Sequence, residues 1–260
     1  APATVTLAIA PVKLAWRRMF EDFPDLVRPL PRIKQKAKPP TEMQTLKPAE
    51  VVALLDWLKQ NRTDLWPIAC LQALAGLRGL EAAALRRQDI DLDEGKLLIR
   101  STEHHELKNA ASHRTIFVCK EVVDALKARI KAQKIIPPGG ELFVNKSGNL
   151  WTKDALVLRW TRLRKTAAKD TGLTALRTMQ AHRLRSFFAT TAARLGVNDR
   201  VIQFYIGHAP ADTLGSFYLK IAEEELKAVA TTMDNWRSLT NSEAKANPSE
   251  PTGKNTATSV

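Results

Sequence analysis

Nowhere does this chain hold a run of 18 apolar residues, so no stretch of it reads as a membrane span. Cysteine is nearly absent. The two present, Cys70 and Cys119, lie inside apolar runs, with no CxxC pair and no metal-ligand spacing. They read as reduced core residues of an intracellular protein, which leaves no basis for a disulfide framework. Neither a metal nor a cofactor is expected. Tyrosine is scarce too, so a tyrosine with a chemical role has only two candidates, Tyr205 and Tyr218. The opening residues 1–15 are mildly apolar but lack the basic start of a signal peptide. The chain begins at Ala1 rather than Met, as expected of a fragment of something longer. No internal repeat is visible.

What is present is basic charge. Forty Lys and Arg against 27 Asp and Glu give a formal net charge of +13. Such an excess favours a polyanionic partner, nucleic acid first and an acidic membrane surface second, with a merely soluble basic protein as the plain alternative. At 260 residues and 44% hydrophobic, the chain has the length for one large domain or two small ones and can bury a real core.

Punctuation divides the chain. A short helix is predicted around 11–22, ended by Phe23-Pro24. The proline- and lysine-rich stretch Pro29 to Pro40, with Lys34, Lys36 and Lys38, reads as an extended basic linker. Residues 1–40 are therefore expected to be the tail of a mostly missing domain plus that linker, 41–237 the principal domain, and 238–260 a disordered tail. Within 41–237, Lys47-Pro48-Ala49-Glu50 starts a helix with Val51, Leu54, Leu55 and Leu58 on its apolar face. A nearly all-apolar helix follows from about Asp64 to Ala75, broken by Gly76, and a short helix then carries Glu81 and Leu85. Lys96–Ser101 and Arg114–Val118 read as two strands of a hairpin with a long, polar, mobile turn. Helices are predicted at about 121–133, 153–169, 180–195, from an Asn198 cap through Phe204, and 222–236, with Glu141–Asn145 a short strand or extended segment.

Several residues have chemistry beside an ordinary explanation. His182 and Arg185 are three apart on a predicted helix and share a face, where a guanidinium fork and an imidazole suit a phosphate; a solvated basic face is the alternative. Arg78 follows a buried helix and a glycine, with Glu81 placed to fix its fork or to make an ordinary helix ion pair. Lys108 lies in the polar hairpin turn, as a plain exposed lysine would. His104, His105 and His113 share that turn without the carboxylate or Cys partners of a metal site. Gly207 permits a turn that leaves His208 facing a cleft, although a core histidine fits as well. Tyr218 is either a core aromatic or a nucleophile, whereas Tyr205, in Val-Ile-Gln-Phe-Tyr-Ile, reads as buried.

Taken in order, Ala75-Gly-Leu-Arg78-Gly-Leu-Glu81, Lys108 before Arg114-Thr-Ile-Phe-Val, His182-Arg-Leu-Arg185, Ile206-Gly-His208 and Phe217-Tyr218 resemble the tyrosine recombinase (phage integrase) family over about residues 41–237. The resemblance implies a catalytic domain, mainly α with a small antiparallel β-sheet (α+β), that cuts and rejoins double-stranded DNA in site-specific recombination. It implies that Arg78 and Arg185 hold the non-bridging oxygens of the scissile phosphate. Tyr218 would attack to give a 3′-phosphotyrosyl intermediate, with Lys108 as acid for the departing 5′-oxygen. His182 would be the base or proton shuttle, His208 a second donor to the phosphate, and Glu81 the support of the first arginine. Arg159, Arg162, Arg164 and Lys165 along one helix, with the linker lysines, are expected to contact DNA phosphates. The last helix either packs on its own domain or, as the family suggests, docks on a neighbour within a tetramer. The location expected is cytoplasmic, with the DNA. Two departures stand out: Tyr218 is ten residues after His208 where the family commonly has nine, and the family's N-terminal DNA-clamping domain is missing apart from a tail before Lys38. The rivals are type IB topoisomerase-like relaxation, a DNA-binding regulator descended from a recombinase, and a ribosome-like basic structural protein.

Overall fold

The computed structural model describes residues 2–29, 46–103, 105–106, 112–145, 147–208 and 221–240. Residues 1–44 and 45–260 divide into two compact units. In the first, helix α1 spans Pro2–Asp22 and so begins well before the expected 11–22. Alanine and leucine before Pro11, and Lys13, Leu14, Ala15 and two arginines after it, are good helix formers that carry the helix past the missing N–H. The linker with Lys34, Lys36 and Lys38 lies outside the described residues.

The second unit is built on one buried helix. Helix α2, Pro48–Asn61, starts where Pro48 costs no hydrogen bond, and the Glu50 carboxylate accepts from Lys47 N–H at 2.8 Å. It buries Val51, Leu54, Leu55 and Leu58 at helical spacing. Every residue of α3, Trp66–Ala75, is buried, because α5 (Lys120–Ala132) and α7 (His182–Arg194) both pack against it. Gly76 ends α3 with φ 69°, and a Cβ there would sit 2.6 Å from the Phe188 ring. The turn thus requires glycine for conformation and for space. Helix α4, Gly79–Ala83, follows immediately.

Among the described residues the small antiparallel sheet holds the expected hairpin pair and one further strand: β1 (Ile90–Asp91), β2 (Lys96–Ile99) and β3 (Arg114–Phe117), in the order β1-β2-β3. The two-residue β1 is too short to show a period, which is why the sequence hides it. Leu97 pairs with Ile116 and Ile99 with Arg114, so Arg114 shares the inward face with Ile116, two residues on. Glu141–Asn145 is extended, with single bridges from Glu141 to Arg86 and from Val144 to Leu150.

Helices α5 (Lys120–Ala132), α6 (Lys153–Thr171), α7 (His182–Arg194) and α8 (Asp199–Tyr205) fall close to their sequence positions. A 3-10 turn at Thr174–Thr178, unmarked in the sequence, packs against α6 and leads into α7. Asn198 caps α8 by accepting from Arg200 N–H at 2.9 Å. Both cysteines are buried free thiols; burial pushes Cys119 up to about 12, far from a reactive thiolate at neutral pH. No described helix is long and apolar enough to cross a membrane.

Helix α9, Glu223–Met233, lies on its own domain, with Leu226, Val229 and Met233 buried. Beyond it Trp236, 1% exposed, meets Phe187 edge-on at 5.8 Å and donates from its indole to Glu121 at 2.9 Å. Arg237 donates to Asp56 at 2.9 Å and to Glu121 at 2.6 Å, fastening this end of the chain to α2 and α5. Residues 241–260 lie outside the described residues. Trp236→Ala is expected to cost about 3–5 kcal/mol in urea unfolding, because it opens a cavity beside Phe187 and removes the indole bond to Glu121. Arg237→Ala, which removes two part-exposed ion pairs, is expected to cost about 2 kcal/mol or less. Equal midpoints for Trp236→Ala and the unaltered chain would show that this end contributes nothing to the core.

Candidate active site

The site begins with the end of a short helix. Helix α8 closes with His208 N–H donating to Gln203 O at 3.0 Å and Gly207 N–H to Phe204 O at 2.9 Å, the double bond of a left-handed glycine cap. Gly207 takes φ 59° for that purpose. The next three carbonyls have no partner within the helix, and each accepts from a different arginine. Tyr205 O accepts from Arg114 Nε at 2.8 Å, Ile206 O from Arg185 Nη2, and Gly207 O from Arg78 Nη2 at 3.2 Å. Orphan carbonyls carry the negative end of the helix dipole, so cations are favoured here.

One carboxylate holds the same three side chains. Glu81, on α4, has no exposed side-chain surface. Its Oε1 accepts from Arg78 Nη1 at 2.5 Å; its Oε2 accepts from Arg78 N–H at 2.8 Å and Arg114 Nη2 at 3.0 Å, and lies 3.8 Å from Arg185 Nη1. The expected Arg78–Glu81 pair is present, but Glu81 supports more than the first arginine. Arg185 also donates to Gly76 O at 2.8 Å, which ties α7 to the end of α3.

A cleft of about 900 Å³ opens in front of this cluster. Arg78, His182, Arg185 and His208 all line it. One wall is the face of α6 carrying Lys153, Leu156, Val157, Trp160, Thr161 and Arg164. His182 and Arg185 share a face of α7 while Leu184, Phe187, Phe188 and Ala192 are buried opposite. The His208 ring holds Nδ1 2.8 Å from Gln203 Oε1, an orientation that directs its other nitrogen away from α8. Lys108 and Tyr218 lie outside the described residues. Tyr205 is 1% exposed, and its hydroxyl sits 2.6 Å from Leu226 O and 3.0 Å from Phe117 O. Burial pushes its phenol pKa up, which fits a structural tyrosine.

Of the four residues of α6 expected on DNA, only Arg162 and Lys165 are exposed. Arg159 pairs with Asp64 at 2.8 Å and stacks over Trp151 at 4.0 Å. Arg164 donates to Met179 O at 3.0 Å and faces the cleft. Residues 159, 162, 164 and 165 point around the helix rather than along one stripe, as a 3.6-residue turn dictates.

Three residues to which the motifs assign no role belong to the site. Arg114 is one; its signal was its alternation with Ile116 on a strand. His105 lines the cleft beside Arg78, and burial holds its pKa below the usual 6.5 despite the opposing pull of Glu81. Gln72, 2% exposed, is also in the lining, with no local sign in an apolar helix. Among the described residues no group of three or more His, Cys, Asp and Glu is placed to hold a metal ion.

Burial alone would raise the Glu81 pKa, but the Arg114 charge and hydrogen bond, with the backbone and side-chain hydrogen bonds from Arg78, hold it below the usual value. Burial and then the neighbouring Arg78 charge bring Arg185 down to about 10, against the opposing pull of Glu81. Because Glu81 is depressed in the folded state, its stabilisation is complete above the ordinary carboxyl value of 4.5. It is lost as pH falls from there through the lower folded value. Glu81→Gln is therefore expected to cost about 3 kcal/mol at pH 7, and the gap to the unaltered chain should close on acidification in urea melts at stepped pH. A gap constant down to pH 2 would show that ionised Glu81 does not hold the cluster.

Known proteins show the same arrangement of chain. The profile of the phage integrase family matches residues 44–225. Tyrosine recombinase XerA of Thermococcus kodakarensis is 29% identical over 199 residues, covering 74% of this chain and 65% of that protein. XerA of Pyrococcus horikoshii is 29% identical over 153 residues, covering 59% and 49%. The chain thus spans between half and two thirds of the length of these relatives. Among solved structures, the Tn1549 transposon integrase in complex with circular intermediate DNA superposes with a TM-score of 0.69 at 21% identity, covering 87% of this chain and 78% of that one. XerA recombinase superposes at 0.55 with 23% identity, covering 84% and 73%. A helical domain with a three-stranded antiparallel sheet, matched from residue 44 to 225 and assembling Arg78, His182, Arg185 and His208 on one cleft, is a tyrosine recombinase catalytic domain, and the chain belongs to the phage integrase family.

Proposed function

We propose that this chain cuts and rejoins double-stranded DNA in site-specific recombination through a phosphotyrosyl intermediate. One observation carries the reading: two guanidinium groups from distant segments, Arg78 and Arg185, meet on one carboxylate and face one cleft with two imidazoles beside them. Three arginines against one carboxylate leave the cluster positive, as a site for a phosphodiester must be. Relatives support it: two are named tyrosine recombinases, and the Tn1549 integrase was solved with DNA.

In this mechanism Arg78 and Arg185 grip the non-bridging oxygens of the scissile phosphate and neutralise charge as it builds. The Tyr218 hydroxyl attacks phosphorus and gives its proton to His182. The bond from phosphorus to the 5′-oxygen breaks, and Lys108 protonates that oxygen. The products are a 3′-phosphotyrosyl link and a free 5′-hydroxyl. Attack by another 5′-hydroxyl reverses each step, and the stored phosphodiester makes ATP unnecessary. His208 donates to the phosphate through the nitrogen that does not face Gln203. Exposed Arg162 and Lys165, with Lys34, Lys36 and Lys38, supply salt-dependent contacts to the DNA backbone. We infer a homotetramer on DNA, with α9 exchanged between neighbours on assembly, and residence in the cytoplasm with the nucleoid.

Tyr218→Phe is expected to abolish covalent protein–DNA adducts on nicked duplexes carrying candidate sites from the flanking DNA, with DNA affinity changed by less than about twofold. Adducts that persist in this variant would assign the nucleophile elsewhere. Arg185→Ala is expected to lower single-turnover cleavage by about 10³-fold or more with the fold retained. Cleavage at the normal rate would remove the two-arginine clamp from the mechanism.

A further inference from the structure

Behind the cleft lies a third arginine, closed off from solvent. The Arg114 side chain is 0% exposed. Its donors serve three separate segments: Nε to Tyr205 O at 2.8 Å, Nη1 to Ser112 O at 2.8 Å, and Nη2 to Glu81 Oε2 at 3.0 Å. A Cβ on Gly207 would lie 2.8 Å from Arg114 Nη1, so the glycine before His208 is shaped around this buried group as well as by its own φ. Three acceptors at three angles suit a planar fork and not an ammonium.

The Glu81 oxygen that takes Arg114 is the one facing Arg185, while the other takes Arg78. Were Arg114 missing, one carboxylate would serve the two cleft arginines and cancel half their charge. With Arg114 in place, the cluster of three cations and one anion presents two net positive charges. Only Arg78 and Arg185 of the three line the cleft. Salt does not screen a charge this deeply buried as it would a surface lysine.

We propose that Arg114 is a positioning residue of the phosphate site, which takes up the charge of Glu81 from behind and leaves Arg78 and Arg185 their full attraction for phosphate. The inference rests on the clamp reading of those two arginines. It predicts that the two partners of one ion pair act in opposite directions. In calorimetric titration of the full chain with inorganic phosphate, Arg114→Met should weaken affinity about tenfold, and Glu81→Gln should tighten it by about threefold or more. The double variant should return to within about threefold of the unaltered chain. A role in packing alone would make both single variants weaker. Weaker binding in Glu81→Gln, or no change in Arg114→Met, overturns the proposal. If Arg114→Met does not fold, Glu81→Gln and the double variant still decide it. Arg185→Ala separates the two ideas. Phosphate binding lost in that variant but indifferent to Arg114 defeats this inference alone. Binding indifferent to Arg185, or absent from the unaltered chain, defeats the clamp and the inference together. Binding with the expected charge dependence in a chain that forms no DNA adduct keeps the inference and defeats the recombinase reading.

Discussion

The structure depends on one buried carboxylate. Glu81 gathers three guanidinium groups from α3–α4, β3 and α7, and its ionised form makes their proximity tolerable. Like charges at such distances repel strongly in a low-dielectric interior, and an anion among them reverses the sign. The backbone completes the arrangement. Consecutive carbonyls after α8 accept from the same three side chains, so no donor in the cluster relies on the ligand for its position. Such preorganisation suits phosphoryl transfer, where positioning and charge neutralisation do most of the work.

The surrounding fold keeps that cluster in register. A wholly buried α3 is the post against which α5 and α7 lean, and its terminal Gly76 supplies a carbonyl to Arg185. The Phe188 ring packs on Gly76 and stacks with Tyr205 at 5.6 Å, linking α7 to α8 through apolar contact. Tyr205 then reaches β3 and α9 through its hydroxyl. Hydrophobic packing and the polar cluster are thus two sides of the same few residues.

Much of this was legible in the sequence because it is local. Helix periods, the Pro48 start, the Asn198 cap and the Gly76 break each act within a turn or two of chain, and they place Arg78, Glu81, His182, Arg185 and His208 on the right elements. That these residues converge on one cleft came from the order of motifs and not from any one of them. The misses are non-local. Arg114 belongs to the site because β3 faces the end of α8, 91 residues away. Gln72 is a cleft residue only because α6 forms another wall of the cleft it lines. Arg159 and Arg164 read as free cations until Asp64 and the Met179 carbonyl are seen beside them. The two-residue β1 exists only as a partner of β2.

The carbonyls of Tyr205, Ile206 and Gly207 address three arginines by count, one residue each. An insertion or deletion within Asp199–Gly207 would turn the helix end by about 100° and hand every guanidinium the wrong oxygen. After His208 no described arginine is addressed in that way. Up to Gly207, the count of residues is set by the three side chains that read it.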